Sequence, residues 1–165
     1  CKGRFWEGRF RCQRVYDVSG ILTCSSYVDL NPIRAGIAKT PEQSKHTSIQ
    51  DRIYLRQKKS FESKIPLVPI PEISKNRLTL DDYITLVDTT GRLLVEGKAS
   101  IPQSLAPILK RLEISEEHWV ETEQELKRLF PRVIGPARML EQAAVEAKKC
   151  WFHGLSAARA IFKRN

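Results

Sequence analysis

Tyr27-Val28-Asp29-Leu30-Asn31-Pro32-Ile33-Arg34-Ala35-Gly36 is the stretch on which the reading of this chain turns. Tyr27 and Asn31 are four residues apart, a spacing that sets both on one face of a helix. Pro32 disfavours helical geometry at Asn31, and Gly36 permits a sharp turn beyond it. A tyrosine hydroxyl, a carboxamide and a guanidinium are thereby gathered near a helix end. Upstream, Asp17 or Ser19 caps that helix, whose apolar positions Ile21, Leu22, Tyr27, Val28 and Leu30 run to the Asn31-Pro32 break.

Before the helix, residues 4 to 16 set Trp6, Phe10, Cys12 and Val15 among arginines, and Glu7-Gly8 can turn the chain. A hairpin or bent strand is expected there. Arg4, Arg9, Arg11 and Arg14, interleaved with Phe5, Trp6 and Phe10, suit a strand that follows a nucleic-acid backbone and stacks on bases. The competing reading makes the aromatics core and leaves the arginines to solvent. A mixture is expected, with Trp6 and Phe10 buried. Chain-opening Cys1 in strand-like sequence, in place of methionine, predicts the C-terminal part of something longer.

After the helix the pattern weakens from Lys39 to Arg77, and the Lys- and Pro-rich residues 56–77 read as a linker between residues 1–55 and 78–165. Thr79-Leu80-Asp81-Asp82 resembles a capping box, opening a short helix to Val87 that Thr90-Gly91 closes. Ile101-Pro102 introduces a helix over 103–112, and Ser115-Glu116-Glu117 begins a longer one to about Phe130. Pro136 precedes a last helical run through Trp151. Residues 78–165 are therefore expected to be a small all-α module.

Charge is unevenly spread over the 165 residues, whose net value is +9. Residues 1–60 carry 12 Lys+Arg against 5 Asp+Glu, residues 78–130 carry 6 against 10, and residues 131–165 carry 7 against 2. Two basic blocks flanking an acidic one favour a polyanionic partner, because each cation set on a phosphate releases condensed counterions. A basic surface without a partner is the alternative. No apolar run approaches the roughly 20 residues of a membrane helix, so no membrane partner and a cytoplasmic location are expected. Cys1, Cys12, Cys24 and Cys150 lack the paired spacings of a zinc site and read as reduced thiols.

Gly3-Arg4-Phe5-Trp6-Glu7-Gly8-Arg9-Phe10 and Tyr27 to Gly36, joined by an acid-capped helix, resemble the C-terminal part of the catalytic domain in REP-associated tyrosine transposases, of the single-tyrosine His-hydrophobic-His (HUH) group. The likeness spans residues 3 to 53, with Thr47-Ser48-Ile49 near its end. It implies an α+β fold: the C-terminal part of a ferredoxin-like HUH catalytic domain, a hairpin or strand plus the catalytic helix, followed by the helical module. It further implies that Tyr27 is a nucleophile that attacks single-stranded or hairpin DNA, leaving a 5′-phosphotyrosine and a free 3′-hydroxyl. Asn31 matches a polar residue whose oxygen helps hold a divalent metal, Mg²⁺ by preference. The only histidines, His46, His118 and His153, form no His-x-His pair, so the chain by itself is expected to be inactive.

Other readings stand beside these. Tyr16 is the competing nucleophile in the matched region, but it has no carboxamide four residues on, and packing is its expected role. Asn31 is also a common helix-stop residue. Arg34 either grips a phosphate or complements the helix C-terminus. His118-Trp119 and Trp151-Phe152-His153 read as core aromatics and surface histidines. The basic end Arg159, Lys163 and Arg164 either touches DNA or frays. A non-catalytic nucleic-acid-binding remnant or domesticated module is the alternative function, an interaction module built on the acidic middle is a weaker one, and monomer and homodimer are both left open.

Overall fold

The computed structural model describes residues 12–57, 78–97 and 102–162. Arg4, Arg9, Arg11, the aromatics Phe5, Trp6 and Phe10, and all but the first two residues of the expected linker lie outside the described residues. What is described is mixed α+β and mostly helical. A two-residue strand, β1 (Arg14–Val15), leads into α1 (Asp17–Asp29) and α2 (Asn31–Arg34); a 3-10 turn, Pro41–Gln43, precedes α3 (Ser48–Arg56). Then come α4 (Leu80–Glu96), α5 (Ala106–Arg111), α6 (Glu116–Leu129), the strand β2 (Val133–Ile134), α7 (Ala137–Glu146) and α8 (Leu155–Ile161).

β1 pairs in parallel with β2, Arg14 opposite Val133 and Val15 opposite Ile134. The Arg14 amide donates to the Arg132 carbonyl at 2.8 Å and the Tyr16 amide to the Ile134 carbonyl at 2.8 Å. This small ladder ties the beginning of the described chain to its last third. The buried core is shared in the same way: Leu22, Leu30, Ile33 and Ile49 join Leu86, Trp119, Leu126, Phe130 and Ile134 in one cluster. Both sides of the expected 56–77 boundary therefore contribute to one interior.

α1 begins where the Asp17 carboxylate accepts the Gly20 amide at 3.0 Å, and α2 follows it almost without a break, with Pro32 in its first turn. The buried face of α1 differs from the apolar positions read in the sequence. Ile21 and Val28 are exposed, whereas Thr23, Ser26 and Asp29 are buried beside Leu22. Thr23 turns its hydroxyl back onto the Ser19 carbonyl of α1 itself, Asp29 takes donors from neighbouring helices, and Ser26 sits by the buried Glu123.

Two helix stops read from the sequence shift. Thr90 and Gly91 lie inside α4, which continues to Glu96. A Cβ on Gly91 would stand 2.9 Å from Ile33 Cδ1 and 3.2 Å from Leu30 Cδ2, so this glycine allows α4 to approach the α1–α2 corner closely. Thr90 donates to the Leu86 carbonyl at 2.6 Å and accepts the Trp119 indole N–H at 2.8 Å, which makes it a buried tie within the helix. Near the end, the helix expected through Trp151 stops at Glu146 as α7, and a further helix not expected from the sequence, α8, follows a loop in which Gly154 has φ 100° and presses against the Leu129 carbonyl. A side chain is disfavoured there both by the backbone angle and by the contact.

α3 lies in the stretch where the sequence pattern weakens. Its own N-terminus carries no capping side chain, and the acceptor arrives from α1: Asp29 accepts the Ile49 amide at 3.1 Å and the Ser48 hydroxyl at 3.0 Å. The capping box of α4 forms as expected, Thr79 accepting the Asp82 amide at 3.1 Å and Asp82 the Thr79 amide at 2.9 Å. α5 is shorter than the 103–112 helix expected. Among the described residues no helix is long and apolar enough to cross a membrane.

Candidate functional site

Tyr27 leaves the last turn of α1, Asn31 opens α2 and Arg34 closes it, so one helical corner carries all three. The Arg34 guanidinium lies over the Tyr27 ring, 3.3 Å from its centroid. Its Nη2 donates to the Tyr27 carbonyl at 2.7 Å and to Asn31 Oδ1 at 3.1 Å, while Nη1 donates to the Glu123 carbonyl of α6 at 3.3 Å. The arginine thus clasps the tyrosine, the carboxamide and a neighbouring helix together. In this position it complements the carbonyls at the end of α1, where a cation is favoured by the helix dipole.

Tyr27 is half-buried, and its hydroxyl makes no hydrogen bond among the described residues. Lys127 Nζ, from the last turn of α6, lies 5.8 Å from the same ring centroid. Both contacts are to the ring, and they set positive charge beside Tyr27 of the kind that attracts a phosphate. Tyr16 is occupied differently: its hydroxyl accepts from Arg14 at 2.8 Å, and its ring packs partly against the core. Arg14 also reaches Glu146 at 3.6 Å.

Two residues beneath this corner were not singled out from the sequence. Glu123 is completely buried, and neither carboxylate oxygen has a hydrogen-bond partner; Ser26 Oγ and Arg34 Nε are likewise unpartnered. Burial pushes the Glu123 carboxyl well above its ordinary range, against the weaker opposing pull of Arg34 and Ser26. Ser26 is near enough to act on that carboxyl but lacks hydrogen-bonding geometry toward it. A neutral carboxyl reduces the cost of leaving the group unpaired. The signal was present in the sequence, since Glu123 falls on the helical stripe Trp119, Val120, Leu126 and Phe130 where an apolar residue is expected.

Asp29 is the second such residue, 2% exposed and fully engaged. Besides Ser48 and Ile49 it accepts the Tyr83 hydroxyl at 2.7 Å. Desolvation and the Asp29 charge push the Tyr83 phenol far up, so it stays a donor. Cys24, one turn before the site, is pushed up to about 11 by burial and then by Glu123. It is a free thiol, as are Cys12 and Cys150, and stays protonated near neutral pH.

Metal binding has one donor here. Asn31 Oδ1 is a hard oxygen of the type Mg²⁺ takes, but it already accepts from Arg34, and no group of three His, Cys, Asp or Glu stands together among the described residues. One amide oxygen does not make a magnesium site, so the residues described do not by themselves fit the ion. Of the remaining aromatics, Trp119 is sealed in the core and His118 is half-exposed beside Glu121. Trp151, expected in the core, is 55% exposed, because the loop after α7 carries it outward with its ring edge against His153.

No family model, no curated protein and no solved structure matches this chain.

Proposed function

We propose that this chain belongs to a DNA transposase that cleaves and rejoins single-stranded DNA through Tyr27, with residues 1–55 forming the C-terminal part of a ferredoxin-like HUH catalytic domain. The single observation that carries the reading is the Tyr27 hydroxyl, unbonded among the described residues, on a ring flanked by Arg34 at 3.3 Å and Lys127 at 5.8 Å. Asn31 in the same clasp agrees with the residue pattern from which the resemblance was drawn. A short strand running straight into the tyrosine helix agrees with it too.

The chemistry asked of these residues is a transesterification. The phenol oxygen bonds to phosphorus, the P–O3′ bond breaks, and the proton lost by the phenol ends on the departing 3′-oxygen. Another strand's 3′-hydroxyl reverses the step, and the phosphodiester is conserved. Arg34 orients the ring through its contacts to the Tyr27 carbonyl and Asn31, and Lys127 supplies positive charge on the ring's surroundings. The metal implied by the resemblance needs ligands beyond Asn31, and none of the steps above is assigned to it.

The test is a covalent adduct. The full protein carrying this chain, incubated with single-stranded DNA and Mg²⁺, is expected to yield an adduct whose mass maps to Tyr27 and which Tyr27→Phe abolishes. An undiminished adduct in that variant moves the nucleophile elsewhere. Retained binding with no adduct from the unaltered protein is the result expected of a non-catalytic nucleic-acid-binding module. Asn31→Ala is expected to lower cleavage more than binding, and equal losses in both would make it a helix cap.

A further inference from the structure

Beyond the Tyr27 corner, the surface bearing β1, β2 and the α7–α8 loop carries an aromatic and cationic arrangement with no role so far. A groove of about 440 Å³ opens there, walled by Arg14, Arg132 and Phe152. Lys149 Nζ lies 5.6 Å from the Phe152 ring centroid, and Trp151 stands 55% exposed beside Phe152 in the chain, its ring centroid 5.8 Å from that of His153 and nearly perpendicular to it. Arg132, Lys148 and Lys149 are exposed and form no ion pair among the described residues. The one acid in the groove, Glu146, is held by Arg14 at 3.6 Å.

An exposed tryptophan alone is ordinary. Here it is next in the chain to Phe152, which lines the groove, and Arg132 in the lining and Lys149 over Phe152 have no acidic partner among the described residues. The surrounding block, residues 131–165, has Lys and Arg outnumbering Asp and Glu 7 to 2. Indole stacks on any base through its π-face, and lysines and arginines take the phosphates between bases. A folded acidic protein would match the charge but would leave the ring without a planar partner. The loop also adjoins the α6 turn that bears Lys127. His153 Nε2 lies 3.0 Å from the carbonyl of Arg128, the residue after the lysine that faces Tyr27.

We infer that this groove is a second nucleic-acid site, in which a single strand stacks a base on Trp151 and lays its phosphates along Lys149, Arg132 and Arg14. The site does not need Tyr27 to cut anything, and it holds equally for a catalytic and a non-catalytic protein. It assigns a binding role to residues 131–153, which the proposed function leaves idle.

Fluorescence anisotropy of a labelled oligothymidylate, about 12 nucleotides long to suit one such groove, tests it with the 165-residue chain. Trp151→Ala is expected to weaken binding roughly tenfold, and Trp151→Phe to recover most of that loss. Replacing both Arg132 and Lys149 by Ala should weaken binding and reduce the salt dependence by about two ions. Glu146→Gln should tighten binding a few-fold, and Val95→Ala, on an exposed turn of α4, should change nothing. Trp151 is exposed, so its truncation leaves the core intact, and an unchanged melting temperature verifies this. Wild-type affinity in both the Trp151→Ala and the Arg132/Lys149 variants overturns the inference. So does polyglutamate that competes as well as DNA and ignores Trp151→Ala, which would give the groove to an acidic polypeptide. Loss of the covalent adduct with these effects intact defeats only the transferase reading.

Discussion

Asp29, on the helix that carries Tyr27, and Glu123, on α6 packed against that helix, are both buried carboxylates, and their surroundings are opposite. Asp29 accepts from Ser48, from the Ile49 amide and from Tyr83, joining α1 to α3 and α4. Glu123 has no hydrogen-bond partner on either oxygen and rises well above the ordinary carboxylate range. The difference teaches that burial alone does not determine what an acid does. With donors converging on it, a carboxylate stays acceptor and locks helices; without them it is driven toward its neutral form. The Tyr27–Arg34 clasp is tied to both: Asp29 anchors the helix that carries Tyr27, and Arg34 donates to the main-chain carbonyl of the residue whose carboxyl is unpaired.

The largest expected effect is on the anchored side. Asp29→Ala strands the Ile49 amide and the Tyr83 hydroxyl in the interior and is expected to cost about 3 kcal/mol in urea unfolding. A loss under about 1 kcal/mol would show that the three contacts are dispensable and erase the contrast. Tyr83→Phe removes one of the three donors and leaves the others, so about 1 kcal/mol is expected by the same measurement. A cost equal to that of Asp29→Ala would mean that Tyr83 alone holds the acid.

On the unpaired side the effect is smaller and depends on pH. Because the folded-state pKa of Glu123 lies above the unfolded value near 4.5, the native protein holds more protons between the two values. Its contribution is fully present below that unfolded value and is lost as pH rises through the folded one. Glu123→Gln removes this titration. Expected are a flatter stability profile above the ordinary carboxylate range and a gain on the order of 1 kcal/mol where the wild-type group is ionised. A steeper profile, or a loss at every pH, would indicate that a charged Glu123 is held usefully by Arg34.

Much of the local structure was legible because its partners are three or four residues apart. The Thr79–Asp82 capping box forms as read, and so does the gathering of Tyr27, Asn31 and Arg34, since both span a helical turn or two. Gly91 was misread as a stop, because a glycine that ends a helix and one that admits a neighbouring helix look the same along a chain. Trp151 is exposed and not core because its position depends on how α7 and α8 pack and where they leave the loop between them. α3 was missed since its cap is provided by Asp29, about twenty residues upstream, through a contact that no local window contains.

Composition and spacing by themselves determined the charge asymmetry, the helix-rich second half and a corner bearing a tyrosine, an amide and an arginine. Tertiary structure alone decided that Arg34 lies across Tyr27, that α6 brings Lys127 and Glu123 to that corner, and that Trp151 faces outward beside a basic groove. The physical reason is range. Backbone geometry and side-chain hydrogen bonding act within a turn and can be read in order, whereas which buried acid finds donors depends on packing between distant segments, as when the Tyr83 hydroxyl reaches Asp29 from 54 residues away.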